Sequence, residues 1–387
     1  FEGNPDLAPT CMTQTPLHTL HAAGQSIWLD FIDRAILQSG ELTRRIRDEA
    51  LTGMTSNPTI FEKALATGSA YDAQLREGAA KGLDAWGLFE LVETDDVRVA
   101  CDAFVDVYRR TKGQDGYVSI EVSPGSAHDA AATITEAHRL WKTVDRPNVM
   151  IKVPGTAEGC IALRQLIADG LNVNVTLLFS VAAHARVIEA YLAGLEDRAA
   201  KGGDLSHVAS VASFFVSRVD GAIDPRIDAL VAAGTITAER GKALQGKAAI
   251  ANAKRAYRLF QEQFTGPRWA ALVAKGAQVQ RPLWASTSTK NPAYRDVLYV
   301  EELVGPDTVN TMPPATLEAF RDHGITRRTV DADLAAADQG LSDLATLGID
   351  LDAVTDRLLV EGLASFQKSF DTLLAGIEAK TATLRGR

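Results

Sequence analysis

Lys152 stands in a short apolar run, Val149-Met150-Ile151-Lys152-Val153, that Pro154-Gly155 closes. A run of this length, partly β-branched and ended by turn residues, reads as a buried strand. Side chains alternate across a strand, so Lys152 shares a face with Met150 and has no route to solvent if both faces are covered. Desolvation disfavours the ammonium and leaves a neutral amine, which attacks carbonyls and forms Schiff bases. The competing reading is a lysine at a strand end that is ion-paired or snorkels to water. Carboxylates stand at comparable places. Asp30 ends Ile27-Trp28-Leu29, and Glu121 comes near the end of the alternating run Tyr117 to Val122. A helix N-cap for Asp30 and a salt-bridged strand end for Glu121 are the structural alternatives.

The elements that would hold these residues follow from periodicity. Strands are expected at Ile27 to Asp30, Leu51 to Pro58, Tyr117 to Val122, Val149 to Val153, Asn172 to Ser180, the segment from Val208, Arg281 to Ser288 and Thr308 to Pro314. In the fifth, Asn174 and Thr176 lie on one face while Val173, Val175 and Leu177 lie on the other. Helical spacing fills the intervals: 31–50, 59–112, 127–144, 157–169, 181–194, two or three helices within 221–280, and 315–387.

Eight strands separated by helices, with no hairpin signal, give parallel βαβ units. The reading is an α/β fold, a (β/α)8 TIM barrel with extra helices between strands 6 and 7 and at the C-terminus. An open doubly wound sheet is the alternative. The barrel is favoured because Asp30, Asn57, Glu121, Lys152, Thr176, Ser213 and Ser286 all fall towards the C-terminal ends of different strands. An open sheet would gather them at one switch point and usually carry a glycine-rich nucleotide loop, which this sequence lacks.

Composition narrows the partners. The chain has 387 residues, 46% hydrophobic, with a net charge of -9, so nucleic acid and anionic membrane are not expected partners, and an anionic substrate needs a local basic site. No apolar run is long enough to span a membrane and no signal peptide is visible, which makes the cytoplasm the expected compartment. Cys11, Cys101 and Cys160 have no metal-ligand spacing and fit a reducing environment without disulfides. Residues 1–18 read as an N-terminal leader, in part added or disordered, with Met12 a candidate native start; residues 19–387 read as one barrel domain.

Four motifs, in order, resemble the transaldolase family: Thr55-Ser56-Asn57-Pro58; Ile151-Lys152-Val153-Pro154 followed by Glu158-Gly159; Asn174 to Ser180; and Ser213 to Asp220. The resemblance runs from about Ile27 to Pro314 and implies a class I barrel enzyme of the pentose phosphate pathway, with neither metal nor cofactor. Such an enzyme moves a dihydroxyacetone unit from sedoheptulose 7-phosphate to glyceraldehyde 3-phosphate, giving erythrose 4-phosphate and fructose 6-phosphate. Lys152 would be its Schiff-base lysine and Asp30 its acid/base. Glu121, through a water bound to Thr176, would serve imine formation and hydrolysis. Asn57, Asn174, Ser213 and Ser286 would hold substrate hydroxyls, although backbone hydrogen bonding is their ordinary alternative. By the same resemblance, Phe215 would face the catalytic water, where the related free-dihydroxyacetone aldolases carry tyrosine. Core packing is its plainer reading.

Arg218 would bind the substrate phosphate, against an ion pair with Asp220. The seventh strand reads Ser286-Thr287-Ser288-Thr289-Lys290, where the better-known branch would have an arginine; this looks like a longer-chain bacterial and plant branch, with Ser288 and Lys290 as phosphate candidates. Sugar phosphates are the implied partners, for a monomer or a homodimer. The rival readings are a fructose-6-phosphate aldolase-like lyase using free dihydroxyacetone, a pyridoxal-phosphate barrel enzyme, and a non-catalytic binding barrel.

Overall fold

Short β-branched segments alternating with amphipathic helices close into a ring in the computed structural model, which describes residues 14–66 and 68–385. The strands are β1 (Gln25–Asp30), β2 (Leu51–Thr55), β3 (Val118–Glu121), β4 (Val149–Pro154), β5 (Val173–Leu178), β6 (Ser210–Phe215), β7 (Arg281–Ala285) and β8 (Thr308–Met312). They form one closed barrel in chain order, all parallel, with β8 returning to β1. Helices cover the outside and side chains fill the inside, so β4, β5 and β6 are buried throughout. Gly53 makes room in β2 for the neighbouring indole: a Cβ there would lie 2.5 Å from Trp28 Nε1. That indole nitrogen donates to Asp115 Oδ1 at 2.8 Å.

The helices depart from expectation in identifiable places. The segment 31–50 holds two helices, Arg34–Gln38 and Glu41–Asp48, because Gly40 turns left-handed at φ +80° between them. Segment 59–112 holds three, Pro58–Ala66, Asp72–Ala80 and Ala85–Arg110. Beyond β6 a helix starts at once, Ser217–Ala232, and Ala238–Leu244, Ala248–Gln263 and Gly266–Val273 follow before β7. Arg218 therefore lies in a first helical turn and not in a loop. Of the expected leader 1–18, residues 1–13, including Cys11 and Met12, lie outside the described residues; helix Pro16–Ala22 begins before the expected boundary, with Leu17 fully buried. Cys101 and Cys160 are free thiols.

The last helix, Leu351–Arg385, runs for 35 residues across the barrel mouth. Phe370 meets Trp86 and Phe89 edge-on at 5.1 and 5.6 Å, Ser369 accepts from Thr59 at 2.8 Å, and Lys380 pairs with Asp72 at 2.9 Å. Gly362 lets it pass close to the strand ends, since a Cβ there would be 3.0 Å from Leu177 Cδ2. No described helix is long and apolar enough to cross a membrane.

Candidate active site

Lys152 is placed by sheet register. Glu121, Lys152 and Asn174 are direct neighbours across β3, β4 and β5, so their side chains emerge at one level inside the barrel. Lys152 is 5% exposed. Its Nζ lies 3.0 Å from Glu121 Oε2 and donates to Ser56 O at 3.0 Å. Both sequence alternatives hold in part: the lysine is buried, and it is ion-paired.

Above it opens a chamber of about 290 Å³. Asp30, Asn57, Lys152, Thr176, Ser213, Phe215, Arg218, Ser286, Ser288 and Lys290 all line it. Asp30 accepts from Thr55 Oγ1 at 2.8 Å, and Thr55 in turn contacts Thr311 Oγ1 at 2.6 Å. Burial pushes the Asp30 carboxyl above the usual carboxylate range, against the opposing pull of Lys152, Thr55 and Arg218. Burial raises Glu121 likewise, with Lys152 opposing it and the charge of Asp30 adding to it. Two carboxyls flanking one amine, each with raised proton affinity, can carry protons to and from an intermediate.

Two expected residues do not face this chamber. Asn174 is fully buried, and its side chain is engaged by Ser119 Oγ (3.0 Å) and Ser213 Oγ (2.6 Å). Glu121 approaches Lys152 from behind and faces a separate small cavity on the side of the Ala85–Arg110 helix. Asn57 does line the chamber, while its Oδ1 also accepts from Ile60 N at 3.0 Å, capping the Pro58–Ala66 helix. Thr176 Oγ1 finds no partner among the described residues, which leaves a donor and an acceptor for a substrate hydroxyl or a water.

The rim is cationic. Arg218 lies over the Phe215 ring, 5.2 Å from its centroid. The alternative pairing with Asp220 is not formed: Asp220 accepts from Ala249 N and Tyr299 OH, both at 2.8 Å. Lys290 Nζ donates to Ser288 Oγ at 2.9 Å, which sets these two side by side. An adjoining chamber of about 640 Å³ shares Arg218, Ser286 and Lys290 and adds Arg226, Arg357 and Glu361, so positive charge prevails locally in a chain of net charge -9. Leu177 and Ser286, at the ends of β5 and β7, hold φ of 60° and 55°, a strained conformation for side chains of these types and one that recurs at functional sites.

Sequence reasoning missed Thr55 and Thr311, which orient Asp30, along with Lys63, Pro313 and Phe366, which also line the chamber. Thr55 was within reach, since it opens the Thr55-Ser56-Asn57-Pro58 motif. Phe366 comes from the last helix and had no signal. Away from the barrel mouth, a further cavity of about 600 Å³ lies beside the Ala248–Gln263 and Leu334–Thr346 helices. Its lining is largely apolar and its Arg240 is paired with Asp343, so it lacks the convergent groups of the barrel mouth.

The family described as Transaldolase/Fructose-6-phosphate aldolase matches residues 27–377, nearly the whole barrel. Among individual proteins, one named Transaldolase 2 from Nostoc sp. is 50% identical over 366 residues, covering 93% of this chain and 96% of its own length. Proteins named Transaldolase from Mycolicibacterium smegmatis and Acidothermus cellulolyticus are each 51% identical over 365 residues, covering 94% of this chain and 97% and 96% of their own lengths. Likeness at this level extends over strands, extra helices and the long last helix alike, and the chain belongs to the transaldolase/fructose-6-phosphate aldolase family.

Proposed function

We propose that this chain is a transaldolase that moves a dihydroxyacetone unit from sedoheptulose 7-phosphate to glyceraldehyde 3-phosphate through a Schiff base on Lys152. The observation that carries the reading is the setting of Lys152: a buried amine 3.0 Å from a buried carboxylate, at the floor of a chamber with a second carboxylate and a cationic rim. The full-length relatives named transaldolase support the transfer reading over the lyase.

Glu121 takes a proton from the Lys152 ammonium, and the free amine attacks the ketose C2 carbonyl. The resulting hydroxyl leaves as water with a proton returned by the site, and an iminium remains. Asp30 then takes the C4 hydroxyl proton. The C3–C4 bond breaks, its electron pair passes into the iminium to give an enamine, and the shortened aldose leaves. The enamine attacks the carbonyl carbon of the acceptor aldehyde, Asp30 returns the proton to the new alkoxide, and hydrolysis frees Lys152. In this reading Thr176, Ser213 and Ser286 hold hydroxyls, while Arg218, Ser288 and Lys290 hold the phosphate. Phe215 offers no proton to the enamine, which favours waiting for an aldehyde over release of free dihydroxyacetone.

Borohydride reduction in the presence of fructose 6-phosphate, followed by peptide mapping, tests this. A three-carbon adduct is expected on Lys152 and on no other lysine, and Lys152→Arg should fold but give neither adduct nor turnover, because a guanidinium stays protonated. An adduct elsewhere, or none, would overturn the assignment.

A further inference from the structure

Behind the reactive lysine lies an acid that the reaction as written does not use. Glu93, in the third turn of the Ala85–Arg110 helix, is 3% exposed. The groups that bear on its carboxyl are three more acids, Glu136, Glu121 and Glu90, and a single cation, Lys152. Each of these neighbours has a partner of its own. Glu136 accepts from Ser123 N and Oγ at 3.0 and 2.8 Å, Glu90 pairs with Arg139, and Glu121 reaches Lys152 at 3.0 Å. Glu93 makes no hydrogen bond or close ion pair among the described residues. Apart from Ser123, which Glu136 already holds, the remaining walls around it, which include Phe89, Trp86 and Phe370, are apolar.

Glu93 and Glu121 share the lining of one small cavity of about 10 Å³, the size that admits a single water. An ionised carboxylate without a cation or donor is costly in such a place, so Glu93 keeps its proton. Burial and the three acids all act in that direction, holding it well above the usual carboxylate range. A neutral carboxyl offers the one thing Glu121 lacks on this side, which is an O–H donor.

We propose that Glu93 is a positioning residue for the imine steps: its neutral carboxyl donates, across the one-water space, to the carboxylate of Glu121 and holds that group against Lys152. The inference rests on the reading of Glu121 as the proton partner of Lys152. It assigns a reason for an acid buried among acids, where a leucine would have been less costly to bury.

Two variants test it, Glu93→Gln and Glu93→Leu, with turnover and the rate of borohydride trapping on Lys152 followed from mildly acid to alkaline pH. Glutamine keeps a neutral donor of the same shape and should trap at close to the wild-type rate near neutrality. It should also abolish the part of the alkaline decline that comes from ionisation of Glu93. Leucine fills the space without a donor and should slow kcat and trapping roughly tenfold or more, with KM changed by no more than about twofold. Wild-type kcat and trapping in Glu93→Leu would overturn the proposal, as would a Glu93→Gln enzyme no faster than the leucine variant. If Glu93→Leu does not fold, the alkaline limb of Glu93→Gln decides, an unchanged limb counting against the role. A wild-type enzyme that fails to trap on Lys152 sinks the reading of the site itself, whereas trapping unaffected by either variant sinks only the role of Glu93.

Discussion

Arg218 shows how much a single side chain can be asked to do in an acidic protein. Its guanidinium lies over Phe215, has no close carboxylate partner among the described residues, and borders both chambers at the barrel mouth. Burial weakens its hold on its proton, with Asp30 opposing, yet a guanidinium remains charged at any working pH. A half-buried cation with five donors and no carboxylate in ion-pair contact among the described residues is a receptor for a planar or tetrahedral anion. Arg218→Ala should therefore raise KM for fructose 6-phosphate by roughly tenfold to a hundredfold, while kcat/KM for unphosphorylated fructose moves by less than about threefold. Equal losses on both substrates would remove the phosphate role. Arg218 was singled out in the sequence only through the resemblance carried by Ser213 to Asp220. Glu93 was not, since one acid in a long helix with many polar residues reads as part of the solvated face. Asn174 was read as sharing a strand face with Thr176, and alternation gives that face but not the partners the side chain finds there, which are Ser119 and Ser213.

At the scale of the element, β4 is fixed by the turn that follows it. Thr156 Oγ1 accepts from Gly159 N at 2.9 Å, capping the Ala157–Asp169 helix, and donates to Ala127 O at 2.7 Å. Gly155 N donates to Thr176 O at 2.7 Å, which ties the end of β4 to β5. The helix then folds back so closely that a Cβ on Gly159 would sit 1.8 Å from Pro154 O. That contact is with backbone and cannot be relieved by turning a side chain. Gly159→Ala should cost at least about 2 kcal/mol of stability in urea unfolding and lower kcat roughly tenfold or more by displacing the strand that carries Lys152. Gly376→Ala in the last helix is the control: its added Cβ meets nothing within 4 Å, so stability should rise by about 0.5–1 kcal/mol with activity unchanged. If Gly159→Ala is as stable and active as the wild type, the packing account of the Glu158-Gly159 motif is wrong. The eight strands were legible because each is a short β-branched run ended by turn residues. The docking of the last helix was not: its amphipathic pattern predicts a buried face without saying which surface receives it. The left-handed turns at Leu177 and Ser286 carry no signal either, because neither residue type favours them.

For the molecule as a whole, the same burial that prepares the site sets opposing dependences of stability on pH. His184, fully buried, has no hydrogen-bond partner on either ring nitrogen among the described residues and sits 6.0 Å from the Phe214 ring. Burial pushes its pKa down from 6.5 to about 4. Below about pH 6.5 the unfolded chain takes up a proton that the native state refuses until about pH 4, so acid drains stability across that window, by about 3 kcal/mol in full. Buried acids act in the other direction. Burial pushes Asp220 up from 3.8 to about 7, so the native state holds a proton that the unfolded chain has released, and stability falls as pH rises from about 4 to about 7. The two windows overlap, and the stability curve of the wild type alone cannot separate them. His184→Leu separates them, because it removes one titration and leaves an apolar side chain against Phe214. In urea unfolding, the variant should lose less stability than the wild type between about pH 7 and about pH 4, the difference opening below about pH 6.5 and approaching 3 kcal/mol. Parallel curves would mean that His184 finds a proton-stabilising partner in solution, and that the acid sensitivity of this barrel lies in ion-paired carboxylates such as Glu41, which Arg44 holds low.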